Sequence, residues 1–83
     1  MTLEIVTPSK KLISRNDVTS LSAPGVCGDF GVLEKHASMV TALGDGVIKY
    51  KADKEYSVSI QGGFFEVLDN KVIILAAHAE VIE

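Results

Sequence analysis

YSVSIQGGFFEVLDNKVIILAA, residues 56–77, decides the fold class of this chain. Tyr56, Val58 and Ile60 alternate with Ser57, Ser59 and Gln61, the period of a strand with one apolar and one polar face. Gly62-Gly63 leads into a second run, Phe64 to Leu68. Asp69-Asn70 is a two-residue connection of the kind that favours a primed hairpin turn. Lys71 to Ala77 is apolar on both faces, which suits a strand covered from both sides. The segment predicts consecutive antiparallel strands.

The same pattern extends outward. Gly46 to Lys51 alternates, with Ile48 and Tyr50 on one face and Lys49 and Lys51 on the other, and Ala52-Asp53-Lys54 closes it as a hairpin loop. Met39 to Leu43 and Phe30 to Leu33 are short apolar runs. Residues 1–7, 10–14 and 17–23 read as three further strands, the last ended by Pro24-Gly25, and Glu80 to Glu83 as a final short one. No window has convincing helical period. The expected architecture is all-β, a flattened antiparallel β-sandwich or barrel of about ten short strands. Leu3, Ile5, Val18, Leu21, Val40, Tyr56, Val58, Ile60, Val67, Ile74 and Leu75 are its expected core. Gly25, Gly28 and Gly31, three glycines in seven residues, predict a shaped loop between short strands.

Composition limits the possible functions. At 83 residues the chain makes one domain, residues 1–83. Hydrophobic residues are 47% and charged residues 23%, which is right for a folded core and wrong for disorder. The single cysteine, Cys27, makes no internal disulfide, so packing alone holds the domain, as fits a reducing compartment. Net charge is −3 and the lysines and arginine are scattered, with no nucleic-acid footprint. The longest apolar run, Val72 to Ala77, is too short for a membrane helix, and the N-terminus lacks a signal-peptide layout. A soluble cytoplasmic protein is expected, with any membrane association going through a partner.

Candidate chemistry is sparse. The GxxGxxG spacing of Gly25, Gly28 and Gly31 is neither a dinucleotide fingerprint nor a phosphate loop. Cys27, His36 and His78 have no zinc-site spacing, and a Cys27–His36 nucleophile pair needs the fold to bring them together. Asp29 and Glu34 could form an acid–base pair, although carboxylates flanking a glycine loop are more often solvated or engaged with a partner. Cys27 reads as an inert, partly buried thiol. Lys54 at a hairpin tip is placed like the modified lysine of small all-β carrier domains, although the two halves of this chain are unlike. No catalytic residue, metal ligand or cofactor emerges.

Three segments together resemble a known family. Leu3-Glu4-Ile5-Val6-Thr7-Pro8 comes first, then Gly28-Asp29-Phe30-Gly31-Val32-Leu33 with His36-Ala37 and Val40-Thr41-Ala42-Leu43. Gly62-Gly63-Phe64, Glu66-Val67 and Val72-Ile73-Ile74-Leu75-Ala76 close the pattern. In that order and at that spacing they resemble the N-terminal β-sandwich domain of the epsilon subunit of rotary proton-translocating ATP synthases, nearly end to end. The chain departs from the family at Glu34-Lys35, where Pro-Gly is usual, and at Ser38, where proline is usual. It stops at Glu83, before the family's C-terminal helical hairpin, which carries the ATP-binding residues and an inhibitory extension.

The resemblance implies a ten-stranded sandwich on the rotor, at the cytoplasmic face of an energy-transducing membrane. It would bind the gamma subunit on one side and the loops of the membrane c-ring at one end, coupling proton flow to ATP synthesis without doing chemistry. By the same resemblance Asp29 faces the c-ring loops, with Gly28, Phe30 and His36 on the same loop system. No gamma-contact residue is assigned. A carrier domain modified at Lys54 is the alternative.

Overall fold

The computed structural model describes residues 1–82 as eight strands, with no helix among them. These are β1 (Thr2–Val6), β2 (Lys11–Arg15), β3 (Ser20–Gly25), β4 (Gly28–Leu33), β5 (Met39–Leu43), β6 (Gly46–Lys51), β7 (Glu55–Leu68) and β8 (Lys71–Ile82). Eight strands replace the expected ten because two pairs merge. The runs 56–61 and 64–68 are one 14-residue strand, and the runs from 71 and from 80 are one 12-residue strand. Glu83 lies outside the described residues. Every pairing is antiparallel except β1 with β8, which is parallel from Thr2↔Lys71 to Val6↔Leu75.

The long β7–β8 pair is the spine. Along one edge of β7, residues 55–60 pair with β6 and residues 63–67 pair with β5. Along β8, the first half pairs with β1, which pairs with β2. β6 continues into β3 and then β4. Two sheets therefore share one pair of strands, and the sheet folds over a single core.

Gly62 and Gly63 make that fold-over possible. Val58 and Ile60 are buried on the first half of β7, but Phe65 and Val67 on the second, so the inward phase slips by one residue between them. On β8 the inward residues are Val72, Ile74 and Ala76, and then Ala79, so the partner strand slips at the same level. Cα partners run Gln61↔His78 and Gly63↔Ala76, with Gly62 and Ala77 both left out of the ladder and the register unchanged. Gly62 has φ 60° and Gly63 φ 147°, both in the range that favours glycine. A Cβ on Gly63 would overlap the Leu75 carbonyl oxygen and lie 3.0 Å from the Ala76 Cα. Asp69 (φ 50°) and Asn70 (φ 62°) make the expected primed turn, type I′ by the sign of both angles.

The core is apolar throughout: Leu3 and Ile5 of β1, Leu21 of β3, Ile48 of β6, and the residues of β7 and β8 just named, joined by Val18 from the loop before β3. Two expected core residues are not in it. Val40 is 68% exposed and Leu75 51% exposed. Leu75 follows Ile74 on a strand, so the two face opposite sides, and Val40 pairs with Glu66 on the outer face of β7. Tyr56 is half-buried. β8 is thus covered on one face only, against expectation, and the outer face of its first half, Ile73, Leu75 and Ala77, stays apolar. Pro24 and Gly25 are the last two residues of β3, paired with Asp29 and Gly28, and the expected glycine loop is a hairpin whose tip is Val26-Cys27.

Val58 has no exposed surface, and Val58→Ala removes apolar contact and leaves a cavity, so it is expected to lower unfolding free energy by about 1–3 kcal/mol in urea denaturation. Gly62→Ala, with open space around the new methyl, should cost about 1–2 kcal/mol for a left-handed backbone. Gly63→Ala meets backbone as well and should cost more than about 3 kcal/mol or prevent folding.

Candidate functional site

The residues singled out by sequence fall at two separate places. Asp29 lies on β4 opposite Pro24 of β3, two residues beyond the Val26-Cys27 tip, and is exposed. The Pro24 carbonyl accepts the Gly44 N–H at 2.8 Å, and the Ala42 carbonyl accepts the Val26 N–H at 3.3 Å. These bonds set the tip against the Gly44-Asp45-Gly46 turn, so the exposed Asp45 joins Asp29 at this end. Nothing local in the sequence shows that the Asp45 turn meets the β3–β4 tip. Gly28 pairs with Gly25 at the base of the tip. Phe30 is half-buried, its ring edge-to-face on Phe65 with centroids 5.0 Å apart, so it anchors the hairpin instead of projecting.

His36 lies past the other end of β4. Four residue steps separate Asp29 from Leu33, about 13 Å of strand, so the fold does not bring Asp29 and His36 together. The Leu33 carbonyl accepts the His36 N–H at 3.2 Å, closing a turn with Lys35 at φ 61°, the sign pattern of type II. His36 Nδ1 is 2.7 Å from the Ala37 carbonyl oxygen. A carbonyl only accepts, so Nδ1 carries a proton and Nε2 is left at the free edge of the ring. The Met1 ammonium donates to the Val18 carbonyl at 2.7 Å and to Glu34 Oε1 at 3.0 Å. Glu34 is thereby engaged, and no acid pair with Asp29 forms.

The remaining candidates are dispersed. Cys27 is exposed at the tip, not partly buried as expected, and β4 separates it from His36. His78 is exposed on β8 opposite Gln61. No group of His, Cys, Asp and Glu suited to a metal ion occurs among the described residues. Lys54 is exposed in the β6–β7 hairpin, where its carbonyl accepts the Ala52 N–H at 2.9 Å.

A charged clamp that the sequence did not announce ties that hairpin to β2. Arg15 donates from Nε to Asp17 at 2.9 Å and from Nη2 to Asp17 at 2.7 Å and Asp53 at 3.0 Å. Its guanidinium sits 4.8 Å from the Tyr56 ring centroid, and the Tyr56 hydroxyl donates to Asp53 at 2.7 Å. The Arg15 hydrogen bond holds Asp17 below the usual carboxylate range, and the Tyr56 hydroxyl with Arg15 does the same for Asp53. Arg15 and Asp53 are 38 residues apart, which is why local pattern missed the clamp.

The outer face of the first sheet is the other distinctive surface. Val40 (68% exposed), Phe64 (60%) and Leu75 (51%) lie on β5, β7 and β8, and Phe64 pairs directly with Leu75. Val6 and Pro8 line one side of this apolar strip and Ile73 the other.

The fold defines a small all-β sandwich domain with an apolar strip on one outer face. The chain belongs to the ATP synthase delta/epsilon chain β-sandwich domain family, which matches residues 1–82. It is 48% identical over 82 residues to the ATP synthase epsilon chain of Pelotomaculum thermopropionicum, covering 98% of this chain and 60% of that protein. It is 49% identical over 82 residues to the ATP synthase epsilon chain of Nitratidesulfovibrio vulgaris, with the same coverage. The chain thus spans about 60% of the length of these curated relatives. In fold it is similar to a chain of the Tetrahymena thermophila mitochondrial ATP synthase central stalk and c-ring, with TM-score 0.85 and 18% identity over 96% of this chain and 65% of that one. A chain of the Euglena gracilis mitochondrial ATP synthase OSCP/F1/c-ring structure gives TM-score 0.88 and 24% identity, over 95% and 51%.

The clamp has a definite pH dependence. A carboxylate whose folded pKa is depressed binds its proton more weakly folded than unfolded, so its stabilisation is full above the unfolded value and is lost as pH falls through the folded one. Stability attributable to Asp17 and Asp53 should therefore hold from neutral pH down to about 4 and decline below it. Urea midpoints measured across pH should show that decline weakened in Asp53→Asn.

Proposed function

We propose that this domain is the β-sandwich of an epsilon-type central-stalk subunit in a proton-translocating ATP synthase, at the cytoplasmic face of the membrane. In this reading it is non-catalytic. It binds the gamma subunit and the membrane c-ring and helps transmit rotation between them. The observation that carries the reading is the end-to-end match to epsilon chains over residues 1–82, in a chain whose distinctive surfaces suit contact.

The surfaces divide naturally between two partners. The strip of Val40, Phe64 and Leu75 is the gamma-binding face: it is mainly apolar, with the exposed Glu66 between Val40 and Ile73, and interface energy concentrates in a few desolvated side chains of this kind. The polar ends serve the c-ring loops. Asp29, beside Gly28 and the β3–β4 tip, can accept charge-assisted hydrogen bonds from a basic loop. His36 offers its Nε2 at the second end, and Phe30 supports the Asp29 hairpin from within.

Two measurements check this. Gamma binding should change little when salt rises from about 0.1 to about 0.5 M, since screening acts on exposed charge pairs, whereas Phe64→Ala should weaken it by about 2 kcal/mol. A steep salt dependence with an unaffected Phe64 variant would count against the apolar face. For the ring, an exposed pair contributes about 0.2–1 kcal/mol, so Asp29→Asn should weaken association modestly and Asp29→Lys more strongly. Both should leave the melting temperature of the free domain nearly unchanged. Normal assembly and coupling with Asp29→Lys in the whole complex would remove Asp29 from the interface.

A further inference from the structure

We infer that Asn70 is a positioning residue for the His36 turn, holding Lys35 in a backbone conformation that lysine disfavours. Lys35 has φ 61°, a region that L side chains rarely adopt, at the turn position where glycine or asparagine is usual. Its N–H donates to Asn70 Oδ1 at 2.7 Å, across 35 residues of sequence. Asn70 is itself preset for this. It occupies the β7–β8 turn at φ 62°, and its backbone carbonyl accepts the Thr2 N–H at 3.1 Å. One residue thus joins the spine hairpin to the start of β1 through its backbone and to the His36 turn through its side chain.

The consequence reaches His36. Its N–H closes the same turn onto Leu33, and its ring is tethered through Nδ1 to the Ala37 carbonyl. Both anchors of the imidazole are therefore backbone groups of the turn or next to it. Where Nε2 sits follows from the turn backbone, and Asn70 fixes that backbone against the spine. This inference rests on the proposed reading of His36 only for its effect on ring association, and the two are separable by experiment.

Asn70→Gly is the informative variant, because glycine accepts the positive φ and keeps the type I′ turn while removing Oδ1. In the 83-residue chain, amide hydrogen exchange followed by NMR should show the Lys35 amide exchanging roughly five- to tenfold faster, the loss of one hydrogen bond. The Thr2 amide, bonded to the Asn70 backbone, should change less than about twofold and reports that the hairpin is intact. Asn70→Asp keeps the acceptor and should restore Lys35 protection. In a Lys35→Gly background, the effect of Asn70→Gly on His36 amide exchange should shrink, since glycine holds the turn unaided. Unchanged Lys35 exchange in Asn70→Gly, or no recovery in Asn70→Asp, overturns the positioning role. In the assembled complex, Asn70→Gly should weaken ring association as His36→Ala does, and Asn70→Asp should not. Lost Lys35 protection with full ring association would leave the positioning role standing and overturn the ring-contact reading of His36.

Discussion

The approach of the Gly63 backbone to Leu75 and Ala76 governs this molecule. At that point two strands that pair along their whole length lose inward phase together, so each half of the pair can present its apolar face to the same core. A side chain at Gly63 would occupy the space of the Leu75 carbonyl oxygen. A small domain buries too little surface to support separate cores, so eight strands must serve one. Folding a single sheet over its own spine is how this chain does it.

The fold-over also decides what is left outside. Val58, Ile60, Phe65 and Val67 all go inward, and the slip between them turns Phe64 outward next to Leu75. The apolar strip on the first sheet is thus a by-product of the same two glycines that close the core. Opposite alternation on the second sheet puts Ser57, Ser59 and Lys49 outside, so the two outer faces differ in character. A face of each kind, with polar turns at the ends, suits a domain that touches one partner over an area and another through its turns.

Two sets of long-range ties hold turns at the end opposite the β3–β4 tip. Arg15, Asp17, Asp53 and Tyr56 join β2 and the loop after it to the β6–β7 hairpin through charge-assisted bonds. Asn70, Lys35, Glu34 and the Met1 ammonium join the β7–β8 turn, the His36 turn and the start of β1. Each set fixes a turn whose own residues do not specify its orientation. Turns held in this way lose less freedom on binding, which lowers the ordering cost of a contact.

Strand content, the position of most turns and the family were legible in the chain itself. Period-two alternation at Tyr56 to Gln61, the Asp69-Asn70 turn and the ordered triplet of family segments are local features, and each survives in the structure. Local pattern could not reveal that Gly62-Gly63 continues a strand instead of dividing two, because a glycine pair reads alike as a break or as a bulge until the partner strand is placed. For the same reason Val40 and Leu75 looked like core: hydrophobicity marks a residue as fit for burial, while the side of the sheet it faces depends on register. Asp29 was visible as a polar residue among glycines, but its distance from His36 follows from β4 being extended between them. The clamp at Arg15 and the Asn70–Lys35 bond span 38 and 35 residues, so only the tertiary structure, which brings their turns together, could decide them.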